Sequence, residues 1–296
     1  MMVHFTARVV GLVLAAGLSA PALAAGDGWR AVAEALGKAG IEAPGGVYRV
    51  GLPRTDLKVV LDGVELKPAL ALGSWLAFRA QGDQAMVMGD LVLTADEVSP
   101  VMKKLAGEGI EITALHNHLL RAAPPTFYMH VRGYGDPVTL ATALHDGLIL
   151  SKTPLTQSSG AAPSPVELDT ALIDRTLGGK GKAIGGVYQV SLKRAGTIAD
   201  AGITAPEAMG TAEVINFQST GEGKAAIAGD FVLTSNEVNP VLRALRDNDI
   251  EVTALHNHML DDMPRMFFMH FWANDNLTKL AAGLKAALDQ MPLENP

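Results

Sequence analysis

The sequence contains no cysteine. That excludes a disulfide, a thiol nucleophile, a thiolate-ligated metal and a lipid-modified N-terminal cysteine, so stability has to come from packing. Positive charge is also scarce. Lys and Arg total 24 against 31 acids, a net charge of -7 over 296 residues, with no dense basic run. A nucleic-acid partner is therefore not expected, because phosphate binding needs a basic face. No apolar stretch reaches the length of a membrane-spanning helix, so no transmembrane segment is expected either.

What is present begins with a leader-like N-terminus. Arg8 precedes the apolar run Val9 to Ala20, and Pro21-Ala22-Leu23-Ala24 supplies a small-x-small cleavage pattern. Residues 1–24 read as a signal peptide, and the remainder as periplasmic or secreted. Removing one Arg and no acid changes the charge from -7 to -8. With 48% hydrophobic and 19% charged residues the composition is globular, and the length suits two domains.

The chain then repeats itself at an offset of 140 residues. Gly45-Gly46-Val47-Tyr48 returns as Gly185-Gly186-Val187-Tyr188, Arg54 as Arg194, and Gly89-Asp90 as Gly229-Asp230. His116-Asn117-His118 returns as His256-Asn257-His258, and Met129-His130 as Met269-His270. Between Gly89 and His118, 18 of 30 positions equal their partners, whereas Leu57 to Met86 has drifted from Thr197 to Ala226. A period this long indicates two duplicated domains rather than a solenoid. Residues 151–165, rich in Ser, Pro, Ala and Gly, read as a linker between a first repeat at 25–150 and a second at 166–296.

Within a repeat the pattern reads helix, strand, a drifted middle holding another strand, a strand through Gly-Asp, a short helix, a hairpin and a final helix. The helix after Gly-Asp has two possible starts: the capping boxes Thr94-x-x-Glu97 and Thr234-x-x-Glu237, or Ser99-Pro100 and Asn239-Pro240 as N-cap and first helical residue. Ile250 to Met259 has period two, which places Ile250, Val252, Ala254, His256 and His258 on one face. Arg265 to Ala273 forms its hairpin partner, with Phe268, His270 and Trp272 on one face. The order predicts an α+β fold, a tandem duplication of an antiparallel-sheet domain with helices packed on one face.

Six of the eight histidines fall in the two motifs. A His-x-His pair on a strand points both rings the same way, roughly 6.5–7 Å apart at Cα. A third histidine directly opposite, about 5 Å away on the hairpin partner, completes a convergent set. Three imidazoles match the ligand set of open zinc sites, and imidazole also suits copper and iron. The expectation is one metal site per repeat, from His116, His118 and His130 and from His256, His258 and His270, with zinc favoured. The bland alternative is that these are hydrogen-bonded structural histidines.

Asp90 and Asp230 read as a fourth ligand, a partner for an imidazole N–H or a catalytic base, or else as marks of a bulge or strand end. Arg54 and Arg194 read as anchors for a substrate carboxylate or phosphate, or else as ion-pair residues. Glu97 and Glu237 read as capping residues. The turns Arg121-Ala122 and Asp261-Asp262, and the pairs Val131-Arg132 and Phe271-Trp272, would give the two pockets different charge and shape.

The run Gly-Asp-Phe-Val-Leu-Thr … Glu-Val-Asn-Pro-Val … Leu-His-Asn-His-Met-Leu … Phe-Phe-Met-His-Phe-Trp-Ala, from Gly229 to Ala273, resembles the LppY and LpqO lipoprotein family of exported bacterial proteins. The resemblance implies export and a repeated domain. The lipobox cysteine is missing, so no lipid anchor is carried over. A His-x-His strand followed by a third His also resembles, in site geometry alone, the zinc site of acetolactate decarboxylase and of the plant and prokaryote conserved domain. Three functions follow as expectations. One is an exported protein that handles metal. The second is a metal-dependent hydrolase or lyase acting on a small carboxylate, phosphate or sugar-derived substrate. The third is a small-molecule-binding module without metal, for a carbohydrate or lipid that the histidines only hydrogen-bond.

Overall fold

The computed structural model describes residues 25–156 and 165–294. The leader-like residues 1–24 and most of the expected linker lie outside that range. In the first repeat, α1 (Ala25–Leu36) precedes β1 (Ile41–Ala43) and β2 (Val47–Pro53). A small excursion of β3 (Val60–Leu61), β4 (Val64–Glu65) and α2 (Pro68–Ala71) leads to the hairpin β5 (Gly73–Gln81) and β6 (Gln84–Thr94). The unit closes with α3 (Ala95–Gly107), β7 (Glu111–His116), β8 (Thr126–Gly135) and α4 (Pro137–Leu148). The second repeat follows the same path. It runs through α5 (Thr170–Leu177), β9 (Lys182–Ile184), β10 (Val187–Leu192), β11 (Ala199–Asp200), β12 (Ile203–Thr204) and a 3-10 turn at Glu207–Met209. It continues through β13 (Glu213–Gly221), β14 (Lys224–Thr234), α6 (Ser235–Asp247), β15 (Glu251–His256), β16 (Asp262–Met263), β17 (Met266–Asn276) and α7 (Leu277–Leu288).

Each repeat is one antiparallel six-stranded sheet, ordered β1-β2-β5-β6-β8-β7 and β9-β10-β13-β14-β17-β15. The α+β tandem duplication is therefore realised, with the long helices on one face of each sheet, while the short α2 packs on the inner face against the second repeat. Alternation along the central strands explains the layering. Val87, Leu91 and Leu93 of β6 and Ile227, Phe231 and Leu233 of β14 point at the helices. Met86, Met88, Ala226, Ala228 and Val232 point the other way. That second face is not left to solvent. It packs against the sheet of the other repeat, with Met86 and Met88 beside Val232, Met266 and Phe268, and Val92 and Tyr128 beside Ala226 and Trp272. Each large side chain buried there contributes roughly 1.5–3 kcal/mol. Strands apolar on both faces are what a sheet covered twice requires.

Polar links cross the same interface. Asn216 donates to Leu70 O at 2.9 Å, and Gln218 bonds Glu65 O and Lys67 N at 2.8 Å each. Arg132 of the first repeat meets the buried Asp200 of the second at 2.8 Å.

The helix start is settled by the capping box. Glu97 Oε2 accepts from Thr94 N at 2.9 Å, Glu237 Oε2 accepts from Thr234 N at 2.8 Å, and the helices begin at Ala95 and Ser235. Pro100 and Pro240 lie inside the helices, as the sixth residue of each, where each forgoes one backbone hydrogen bond.

The constant offset conceals two compensating shifts. Tyr48 pairs with Phe78, but Tyr188 pairs with Phe217, so the third strand of the second repeat runs one residue ahead. A register shift between Ser219 and Gly221 restores the offset before Lys224. The drifted middle thus lost one residue and regained one as a bulge.

Candidate metal centre

The third histidine of each set lies on a central strand. His130 on β8 pairs with Asp90 of β6 on one side and Ala114 of β7 on the other; His270 on β17 pairs with Asp230 of β14 and Ala254 of β15. His116 and His256 are opposite Tyr128 and Phe268, two positions further along. So the residue across from the third histidine is alanine, not a second histidine, and the rings meet diagonally.

A bulge makes this possible. The pairing skips a residue between Ile112 and Ala114 and between Val252 and Ala254. An extra residue reverses the alternation, because side chains have period two. Val252 therefore packs with the helices, while Ala254 and His256 share the inner face with His270. A single shared face for Val252, Ala254 and His256 is not what forms. His118 and His258 lie just beyond the strand ends and are buried.

The two triplets do not make separate pockets. The inner faces oppose one another, so all six rings form one cluster across the interface, with approximate twofold symmetry. His116 stacks on His256 with centroids 3.8 Å apart; His118 lies against His270 at 3.9 Å and His130 against His258 at 3.8 Å. Within each repeat, His116 Nε2 is 2.9 Å from His130 Nε2, and His256 Nε2 is 2.8 Å from His270 Nε2. Tyr128 stacks on His118 at 4.5 Å and Phe268 on His258 at 4.4 Å. Among the described residues, two groups present ligand atoms within 4.8 Å of one another: His116, His256 and His270, and His118, Asp230 and His270. Both draw on the two repeats together.

Burial dominates the electrostatics. It lowers the proton affinity of all six imidazoles, His116 to about 4. At neutral pH the rings are uncharged and keep a lone pair, the form that binds metal. Asp90 moves well above the carboxylate range through burial and the charge of Asp230, with Arg49 opposing. The surroundings of Asp230 raise it too, although its side chain is 36% exposed.

Unmet hydrogen-bonding demand concentrates in the ring cluster. Asp90 Oδ1, His118 Nδ1, His130 Nδ1, His258 Nε2 and His270 Nδ1 are buried without a hydrogen-bond partner. His270 Nδ1 does lie 2.6 Å from Asp230 Oδ1, but outside a hydrogen-bonding direction. Such orphans are rare in native interiors, and their concentration in one cluster asks for an explanation.

The other predicted residues fare differently. Asp90 and Asp230 sit in mid-strand facing the rings, and mark neither a bulge nor a strand end. Gly229 beside Asp230 reflects close packing: a Cβ there would stand 2.3 Å from Val214 O and 2.6 Å from the Phe271 ring. Arg54 and Arg194 are corrected. Both are buried, and neither guanidinium is free for a substrate. Arg54 donates to Val92 O at 2.6 Å and Glu97 at 2.8 Å and pairs with Asp56; Arg194 donates to Val232 O at 2.9 Å and Glu237 at 2.6 Å. They tie the strand before each helix to the capping glutamate. Asn257 turns away from the rings and bonds Met266 O at 3.0 Å.

Two residues near the cluster escaped the sequence reading. Trp75 stacks beside His258 at 6.4 Å, and Arg49 lies 4.2 Å over Trp75. Their counterparts are Val214 and Gln189. Both lie where the copies disagree, so comparing the copies hid them.

Fold and site together define a duplicated α+β protein whose halves share one histidine-rich centre. Residues 30–149 and 171–290 each match the family described as "Domain of Unknown Function (DUF1259)", and the chain belongs to that family. No curated protein matches. Two solved structures align along most of their length. The trimeric bacterial microcompartment shell protein PduB has 12% identity, 86% of this chain and 95% of that one covered, and a TM-score of 0.22. EtuB from Clostridium kluyveri has 10% identity, 85% and 89% covered, and a TM-score of 0.19.

Proposed function

We propose that the chain is an exported protein that binds a divalent metal, zinc first and copper or iron next, in one centre shared by its two repeats. The observation that carries this reading is the proton bookkeeping of the cluster. His116 Nδ1 lies 3.1 Å from Asn117 O, and His256 Nδ1 lies 2.9 Å from Asn257 O. A carbonyl only accepts, so each Nδ1 carries the proton and each Nε2 presents a lone pair.

Those lone pairs face His130 Nε2 and His270 Nε2. If the latter donate, their own Nδ1 atoms turn a lone pair towards Asp90 and Asp230. If instead they carry hydrogen at Nδ1, two bare nitrogens confront each other below 3 Å. Protonating the carboxyl relieves the conflict, and burial pushes both aspartates that way. A cation at the Nε2 atoms relieves it as well and lets the carboxylates ionise. His116, His256 and His270 would hold the ion, and the ion would supply Lewis acidity. The leader-like residues 1–24 support export.

The test is elemental analysis of the full chain after loading with zinc and dialysis, repeated on His116→Ala and His256→Ala. Bound zinc, with both substitutions removing the same ion, is the expected result. A chain that cannot be loaded discards the reading.

A further inference from the structure

We propose that the centre holds a second divalent ion on one side only, between His118, Asp230 and His270, so that its two near-symmetric halves are chemically unequal. The inference rests on the metal-binding reading above. It starts from the two faces of one ring. His270 Nε2 lies 2.8 Å from His256 Nε2, and on the other side of the ring Nδ1 lies 2.6 Å from Asp230 Oδ1. His118 Nε2 is 3.9 Å from the same carboxylate oxygen, and the three ligand atoms fall within 4.8 Å of one another. The His270 ring therefore belongs to two donor groups through two different nitrogens. Filling both would require the ring to release its single N–H proton to water, and the two cations would offset the charge of the imidazolate and of Asp230.

The symmetry-related group of His258, Asp90 and His130 is not built to the same pattern. His130 Nδ1 stands 3.8 Å from Asp90 Oδ1, and no contact joins Asp90 to His258. Two substitutions between the copies account for this. Arg49 attracts Asp90, whereas Gln189, in the same place of the second repeat, carries no charge and bonds Asn216 at 2.9 Å. Trp75, paired across from Asp90, fills the space beside His258, where the second repeat has Val214 paired with Asp230. The accessible side matches: Asp90 is 16% exposed against 36% for Asp230. A second cation thus finds a more exposed carboxylate with two imidazoles and no arginine on the Asp230 side, and a more covered carboxylate with Arg49 and Trp75 nearby on the other.

The competing account of Asp230 is that it only orients His270 for a single ion. Orienting carboxylates of that kind change affinity by roughly 10–100-fold without changing stoichiometry. Copper(II) titration of the full chain separates the two, read by elemental analysis and electron paramagnetic resonance. Two ions per chain with a magnetically coupled, weakened signal are expected. Asp230→Asn and His118→Ala should each bind one uncoupled ion, while Asp90→Asn should still bind two. Saturation at one ion in the unsubstituted chain overturns the proposal and leaves Asp230 as a positioning residue. Equal loss from Asp90→Asn and Asp230→Asn overturns it too. A chain that takes up no metal fails the earlier reading, and this one with it. The stoichiometry of the unsubstituted chain decides the matter even if a variant does not fold.

Discussion

The same backbone N–H is satisfied by different chemistry in the two repeats. In the first, Ser74 Oγ accepts from Val92 N at 2.7 Å; in the second, Glu213 Oε2 accepts from Val232 N at 2.7 Å. Glu213 is fully buried, its other oxygen is unpaired, and burial pushes its proton affinity up to about 8. Serine does the job without a charge. Copies related by duplication therefore hold their frame in common and diverge in the polar groups that serve it. The inner face repeats the lesson: Asp90 has Arg49 and Trp75 for company, Asp230 has Gln189 and Val214.

Substitutions that treat both copies alike test how deep this inequality runs. The largest effect is expected at the rings. His270→Ala removes a residue common to both donor groups, so metal affinity should fall by well over the roughly 100-fold that loss of an orienting partner produces. His130→Ala should fall less, and equilibrium dialysis against zinc measures both. Equal losses would make the centre symmetric.

Next come the buried arginines. Arg54→Ala leaves Glu97 buried without its partner and should cost about 3–5 kcal/mol in denaturant unfolding. Arg194→Ala should cost less, because Glu237 is its one close carboxylate and Glu213 stands 4.0 Å away.

Glu213 supplies a pH signature. Its folded-state affinity lies above the ordinary glutamate value of 4.5, so the folded chain holds more protons between those limits, and stability falls as pH rises from 4.5 to about 8. Glu213→Ser, the first repeat's solution, should flatten that slope in melting curves taken across the range, by up to a few kcal/mol. The smallest effect belongs to the rim. Arg121 bridges Asp62 at 2.9 Å and Glu251 at 2.6 Å across the repeats, but is half exposed. Arg121→Ala should therefore cost under about 1 kcal/mol, and Arg132→Ala, which strands the buried Asp200, distinctly more.

Much of this was legible beforehand. The repeat, the hairpin, the inward set of Phe268, His270 and Trp272, and the capping glutamates can be read from period and spacing. The relation of one repeat to the other could not be read that way, although β14 carried a hint: Ala225 to Ala228 and Phe231 to Leu233 are apolar on both faces, which a sheet with one wet face would not favour. The bulges before Ala114 and Ala254 were invisible, because Thr113 and Thr253 look like ordinary strand residues and the extra position shows only in the pairing. Arg54 and Arg194 misled for a simple reason. A side chain retained in both copies is retained for whatever both copies need, and both need a tethered helix start.

The opposed sheets have the geometry of a symmetric dimer whose subunits have been spliced into one polypeptide. Two free subunits would separate on dilution and take their shared ring cluster apart. Covalent joining replaces that bimolecular encounter by a fixed local concentration, set by the connecting segment rather than by the amount of protein. It also frees each half to mutate alone, which a true homodimer, encoded once and used twice, cannot do.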